Sequence, residues 1–323
     1  MLILRKQLYN KLKFGIFKKK ELTLLKPILY FSLFKYPLTE EEIYSFSEAN
    51  SIDQIKAELT HLVNNKVIYK IDEFYLTEND ETLINRRLSG NQMAKDIHQK
   101  ATKVSRFISK FPYVEGVGIS GSLSKGYFDE EGDIDFFIIT SPKRLWIART
   151  LLILYKKIFL FNSKKYFCVN YFISSNSLEI EEKNRFTATE LTTMLPMFGS
   201  KSFYDFYEQN KWVENYLPNK IISEHLSTLN QVKKPLLTKL IETILNTKIG
   251  DWLDSFFLKI TYKKWKVKFN KLEEKHFKVA LKSTKNVSKH HPLNFQRKVI
   301  ERLNDKYDEL KEKHNIHLTK EHA

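Results

Sequence analysis

Between Gly118 and Thr140 the chain reads GISGSLSKGYFDEEGDIDFFIIT, and this stretch narrows the choice of fold more than any other. It begins inside a run where Val114, Val117 and Ile119 alternate with small or polar residues, a strand pattern that stops at Gly121. It ends in DIDFFIIT, a second strand closed by Ser141 and Pro142. An apolar helix from Arg144 to about Leu160 and a further strand in KYFCVNYFIS follow. Strand, helix and strand on short links predict a mixed α/β core.

Residues two apart on a strand point to one side, roughly 6.6 Å from each other. Asp133 and Asp135 are therefore expected to project together while Ile134 turns to the core. Alone, such a pair reads more simply as an exposed strand end. Its place behind a strand, a Gly-Ser step and Gly126 argues for a site instead. Paired carboxylates suit Mg²⁺, a hard cation that takes one or two of them plus substrate phosphates. Two such ions about 4 Å apart clamp both oxygens of an in-line phosphoryl displacement. Gly121 has no side chain to keep a triphosphate off the backbone, and Ser122 with the amides of a short helix offers donors. Lys125 adds positive charge.

Other motifs fail on context. Gly116, Gly118 and Gly121 spell the dinucleotide fingerprint, yet they lie within the strand run and not in the turn after it. Ser124-Lys125-Gly126 inverts the phosphate-binding Gly-Lys-Ser order. His290 and His291 lack a third ligand at metal spacing, which argues against zinc. Cys168 is the single cysteine, so no intrachain disulfide forms, and a reducing, cytoplasmic setting is expected.

Four regions are expected. Residues 1–20 form a basic arm without the apolar core and cleavage site of a signal peptide. Residues 21–88 show three helices, the second opened by Thr39 and the third by Ser51, and then a hairpin turning at Asp72. This order resembles a winged helix, although the third helix carries only Lys56, His61 and Lys66 for phosphate contacts. Residues 89–175 hold the core, and residues 176–323 read as mostly helical. There Phe256, Ile260, Trp265, Phe269 and Leu272 share one face, opposite Lys259, Lys263, Lys266 and Lys271. No transmembrane segment is expected, because the most apolar window, Leu145 to Phe161, is broken by Arg149, Lys156 and Lys157. With 54 Lys and Arg against 38 Asp and Glu, the net charge of +16 favours polyanionic partners, nucleic acid among them.

The stretch GSLSKGYFDEEGDIDFFII resembles the nucleotidyltransferase superfamily of DNA polymerase beta, whose signature is Gly-Ser, a spacer and Asp-x-Asp on the next strand. The resemblance covers a minor part of the chain. It implies an α+β fold, with a small mixed-sheet nucleotidyltransferase core between an N-terminal winged helix and a C-terminal helical region. It also implies Mg²⁺-dependent transfer of a nucleoside monophosphate from a nucleoside triphosphate to an acceptor, with release of pyrophosphate. Asp133 and Asp135 would be the catalytic metal ligands, and Gly121, Ser122 and Lys125 would hold the triphosphate. The family places a third carboxylate on a later strand, where this chain has Asn170. An amide can ligate a cation through its carbonyl but takes no proton near neutral pH. Either Glu179 or Glu190 substitutes, or the acceptor brings its own base, or transfer is slow or absent. The alternatives are a nucleotide- or nucleic-acid-binding regulator on a weakened core, and an interaction scaffold with a relic site.

Overall fold

The computed structural model describes residues 24–220, 226–229 and 234–322; the expected basic arm at residues 1–20 lies outside them. A helix runs through residues 24–32 (α1). Glu40–Ser45 (α2) opens on a capping box, in which the Thr39 hydroxyl accepts from the Glu42 amide and the Glu42 carboxylate accepts from the Thr39 amide. Ser51 caps Ile52–Asn64 (α3) by accepting from the Gln54 amide. Tyr69–Ile71 (β1) and Phe74–Leu76 (β2) form the hairpin, with Asp72 in the left-handed region at φ 52°. Leu38 bridges to Tyr75, and Ile28, Ile43, Ile55 and Leu59 bury the helices' apolar faces in one core.

Thr82–Ile108 (α4) runs through Gly90 without a break. At Gly90 the ring of Tyr127 lies where a side chain would stand, 2.1 Å from an added Cβ. The Phe128 amide donates to the Gly90 carbonyl at 3.0 Å. Gly90 thus serves close packing between helix and loop, which local sequence does not distinguish from a helix end.

The remaining elements are Val114–Ser120 (β3), Asp135–Thr140 (β4), Leu145–Phe159 (α5), Cys168–Ser174 (β5), Arg185–Thr193 (α6), Leu195–Phe198 (β6) and Ser200–Gln209 (α7). Then come Leu236–Leu245 (α8), Lys248–Lys268 (α9), Glu274–Ala280 (α10), Val287–Lys289 (β7) and Phe295–His314 (α11). Five strands form one mixed sheet in the order β6-β3-β4-β5-β7, with β4 and β5 parallel through α5 and the other pairs antiparallel. The fold is therefore mixed α+β.

On β4, Phe136 and Ile138 pack with α4 and α5, whereas Phe137 and Ile139 pack with α6 and α7. Both faces are covered, which is why this strand reads as an unbroken apolar run.

The region after Ser174, expected to be mostly helical, also supplies both edge strands of the sheet. β6 has four residues including Pro196, tolerated at an edge, and β7 has three, too few to show alternation. The apolar face of α9 also differs from the expected one: Phe256 and Ile260 remain 40% and 49% exposed. The helix packs through Leu253, Phe257 and Leu258 against the α5 side, and through Trp265 against α10. Among the described residues no helix is long and apolar enough to cross a membrane.

Candidate active site

β3 ends at Ser120, and Gly121 turns the chain at φ 72°, a left-handed value that glycine adopts without strain. Glycine is required there twice over, because an added Cβ would fall 2.5 Å from Asp135 Oδ2. Ser122 then opens the short 3₁₀ turn Leu123–Lys125, closed by Gly126 at φ 73°. The Gly121 carbonyl accepts from Ser124 Oγ at 2.9 Å and from Lys125 Nζ at 3.0 Å. Lys125 also pairs with Glu190 on α6 at 2.8 Å.

The acidic pair approaches from the other side. The strand proper starts at Asp135, two residues later than expected. Parallel pairing nevertheless reaches back past it: the Ile134 amide donates to Lys165 O at 2.9 Å, and the Cys168 amide donates to Ile134 O at 3.1 Å. Ile134 is fully buried, which leaves Asp133 and Asp135 on the opposite face. Asp135 lies in register with Cys168, and one ligand atom from each of Asp133, Asp135 and Cys168 lies within 4.8 Å of the others. Asn170 Nδ2 donates to Asp135 Oδ1 at 2.7 Å.

Burial raises the Asp135 carboxyl to about 7, and the charges of Asp133 and Glu190 push the same way. Hydrogen bonds from Cys168 and Asn170 oppose the rise. Burial and the two aspartates push the Cys168 thiol up, so it is a protonated thiol at neutral pH. Lys125, the nearby cation, is committed to Glu190 and the Gly121 carbonyl. The donor set fits a hard divalent cation: two carboxylates converge, and among the described residues no base pairs with either.

The fold thus brings Gly121, Asp133, Asp135 and Asn170 together. Ser122 is exposed on the turn and its side chain makes no capping bond. Glu179 does not join the site; it is exposed and pairs with Lys183 at 2.7 Å. Glu190 does reach Asp135 electrostatically. Cys168 is the residue that sequence reasoning passed over as a site member. Its signal was present, two positions before Asn170 and hence on the same strand face. A cleft of about 490 Å³ adjoins the turn, lined by Phe31, Tyr36, Phe46, Ser124, Lys125 and Thr192 among others.

Comparison with protein-family models, with curated proteins and with solved structures returns no match for this chain.

Proposed function

We propose that the protein is a Mg²⁺-dependent nucleotidyltransferase, with β3, β4, α5 and β5 as its catalytic core. The observation that carries this reading is the convergence of Asp133 and Asp135 directly against the glycine turn at Gly121. In the reaction an acceptor hydroxyl oxygen bonds to the α-phosphorus of a nucleoside triphosphate. The bond from that phosphorus to the bridging oxygen breaks, pyrophosphate leaves with the electron pair, and the hydroxyl proton passes to a base. Mg²⁺ held by Asp133 and Asp135 would neutralise charge on the phosphates.

The chain's own groups divide the remaining work. Gly121 keeps the turn open to polyphosphate, and Asn170 orients Asp135 through its amide hydrogen bond. The cleft beside Lys125 offers aromatic walls for the base and ribose. Asn170 stands where the resemblance implies a third carboxylate, and it accepts no proton. Glu190 is the carboxylate that the fold brings within electrostatic reach of Asp135, and we assign it the proton. α1 to α3 with the β1–β2 hairpin act as a winged-helix module. Its phosphate-contacting set is thin, since Lys56 already pairs with Glu40 at 3.5 Å.

The test is transfer of label from an α-phosphate-labelled nucleoside triphosphate, with Mg²⁺ and a cell lysate as the source of acceptor. Label should appear on an acceptor with the native protein and disappear with Asp133→Asn or Asp135→Asn. Label transfer that persists undiminished in both variants overturns the reading. The second reading, a nucleotide-binding regulator, is favoured by Asn170 and by the engaged Lys125; it is supported by triphosphate binding without turnover.

A further inference from the structure

We propose that the outer face of α8 and α9, together with the end of α5, is a docking surface for an anionic lipid bilayer. It stands apart from the nucleotidyltransferase reading and needs no catalysis. Helix α9 is apolar on two sides. Inward, Leu253, Phe257 and Leu258 pack toward α5, and Trp265 toward α10. Outward, Ile249, Trp252, Phe256, Ile260 and Val267 recur at steps of three, four, four and seven residues, which sets them within an arc of about 80° along one side of the helix. All five are exposed, Trp252 by 61% and Val267 by 70%, and the Trp252 and Phe256 rings stack at 5.2 Å.

Neighbouring elements extend the stripe. Leu236, Leu240 and Ile244 share the outer side of α8, and Leu236 is 84% exposed. Leu245 and Leu253 both pack against the buried cluster of Tyr113, Ile147 and Ala148, so α8 and α9 turn their opposite sides outward together. Near its end α5 presents Leu154 and Ile158, and just beyond it Phe161 stands 92% exposed. Phe161 and Asn162 hold left-handed backbone, at φ 47° and 62°. That region is strained for a bulky aromatic, and here the strain goes with holding the ring in water. Contiguous apolar surface of this kind marks contact with a protein or a membrane.

Charge decides between the two. Lys248 and Lys259 edge the stripe on one side and Lys264 on the other, all exposed and none with an acidic partner among the described residues. From Ser255 to Lys268 the helix holds five lysines and no acid. Lys264 crowds Lys157 at the end of α5, and its charge pushes the Lys157 ammonium down. A lipid phosphate between them would relieve that repulsion. Lys263 falls inside the apolar arc itself. A protein partner would have to bury this ammonium, whereas at a bilayer its stem follows the acyl chains while its head reaches the phosphates. A second copy would set one row of lysines against another. The expected basic arm, residues 1–20, holds seven Lys and Arg and no acid, so it does not complement the face either. Tryptophan, phenylalanine and aliphatic residues bordered by lysines are the composition of helices that lie in the headgroup region. The surface lies beyond α5, across the sheet from Asp133 and Asp135, so docking leaves the acidic pair uncovered.

The test is flotation of the full chain with vesicles of phosphatidylcholine, pure or with about one third phosphatidylglycerol, read also by tryptophan fluorescence. Binding to the anionic vesicles should weaken steeply with salt, and the pure phosphatidylcholine vesicles should bind at least about tenfold more weakly. Trp252→Ser and Ile260→Ser should each weaken binding about tenfold, and the Lys259→Glu, Lys264→Glu double variant at least as much. The Lys298→Glu, Lys311→Glu double variant, on the exposed side of α11, should leave it unchanged. The blue shift that accompanies binding should vanish in Trp252→Phe, since Trp146 and Trp265 are already buried. Every substituted side chain is exposed, so thermal melts of the variants should match that of the native chain. The proposal is overturned if no vesicle binds, or if binding is indifferent to the α9 variants, which would assign it to another part of the chain. Binding that needs the lysines but neither Trp252 nor Ile260 overturns it in favour of a polyanion without an apolar phase. Self-association that Trp252→Ser abolishes, with no vesicle binding, overturns it in favour of a second copy.

Discussion

Asn170 holds Asp135 by a 2.7 Å hydrogen bond across the parallel pair of β4 and β5, so a neutral amide steadies a carboxylate that Asp133 and Glu190 already repel. A carboxylate at position 170 would add a further negative charge to a site with little countercharge.

Asn170→Asp is therefore expected to lower stability by about 1 to 4 kcal/mol without divalent ions, the range for unit charges about 4 Å apart near a protein surface. Saturating Mg²⁺ should remove the deficit. Thermal unfolding across a Mg²⁺ titration checks this; a deficit that Mg²⁺ leaves untouched contradicts a cation between these acids.

Asp135→Asn relieves the same repulsion. Without metal its unfolding midpoint should rise above that of the native chain, and its Mg²⁺ affinity should fall at least about tenfold. Equilibrium dialysis with Mg²⁺ and a melting curve in EDTA report the two effects independently.

Gly121→Ala forces an L-residue to φ 72° and places its Cβ against Asp135 Oδ2. A loss of about 1 to 3 kcal/mol is expected, together with weaker Mg²⁺ binding as Asp135 is displaced. Denaturant unfolding measures the first; normal stability with normal metal binding would mean the turn relaxes away from the strand.

Arg87 joins α4 to α2, its two terminal nitrogens meeting the Glu42 carboxylate at 2.7 and 2.8 Å while its guanidinium lies over the rings of Tyr36 and Phe74. Arg87→Met leaves Glu42 unpaired and should cost about 3 kcal/mol in urea unfolding. Glu42→Gln, which keeps the shape and part of the bonding, should cost less.

His290 and His291 are held neutral in the fold, the first down to about 4 and the second to about 3, chiefly by burial. Below about 6.5 the unfolded chain binds protons that the folded chain refuses. Stability should therefore be full above that value and fall as pH drops from about 6.5 toward 4. The doubly substituted His290→Gln, His291→Gln chain should show a flatter profile over this window in melts at a series of pH values.

The central β-α-β run was open to reading because its signals are local. Phe136 to Ile139 form a continuous apolar run wherever a strand is covered on both faces, and Thr39 and Ser51 announce helices through bonds spanning three residues. β6 and β7 escaped notice because three or four residues carry no period, and their pairing energy comes from strands distant in sequence. The role of Gly90 inside α4 was not legible locally because its purpose, room for the Tyr127 ring, lies 37 positions further along the chain.

The same division holds at the site. The order of residues alone determined that Asp133 and Asp135 share a strand face and that a glycine turn precedes them, since side-chain alternation follows from backbone geometry. Only the tertiary structure decided that Cys168 joins the group, that Lys125 is spoken for by Glu190, and that Arg149 is buried without a counter-ion among the described residues. Those outcomes depend on strand register, helix packing and exclusion of water, through which residues distant in the chain come to share one electrostatic environment.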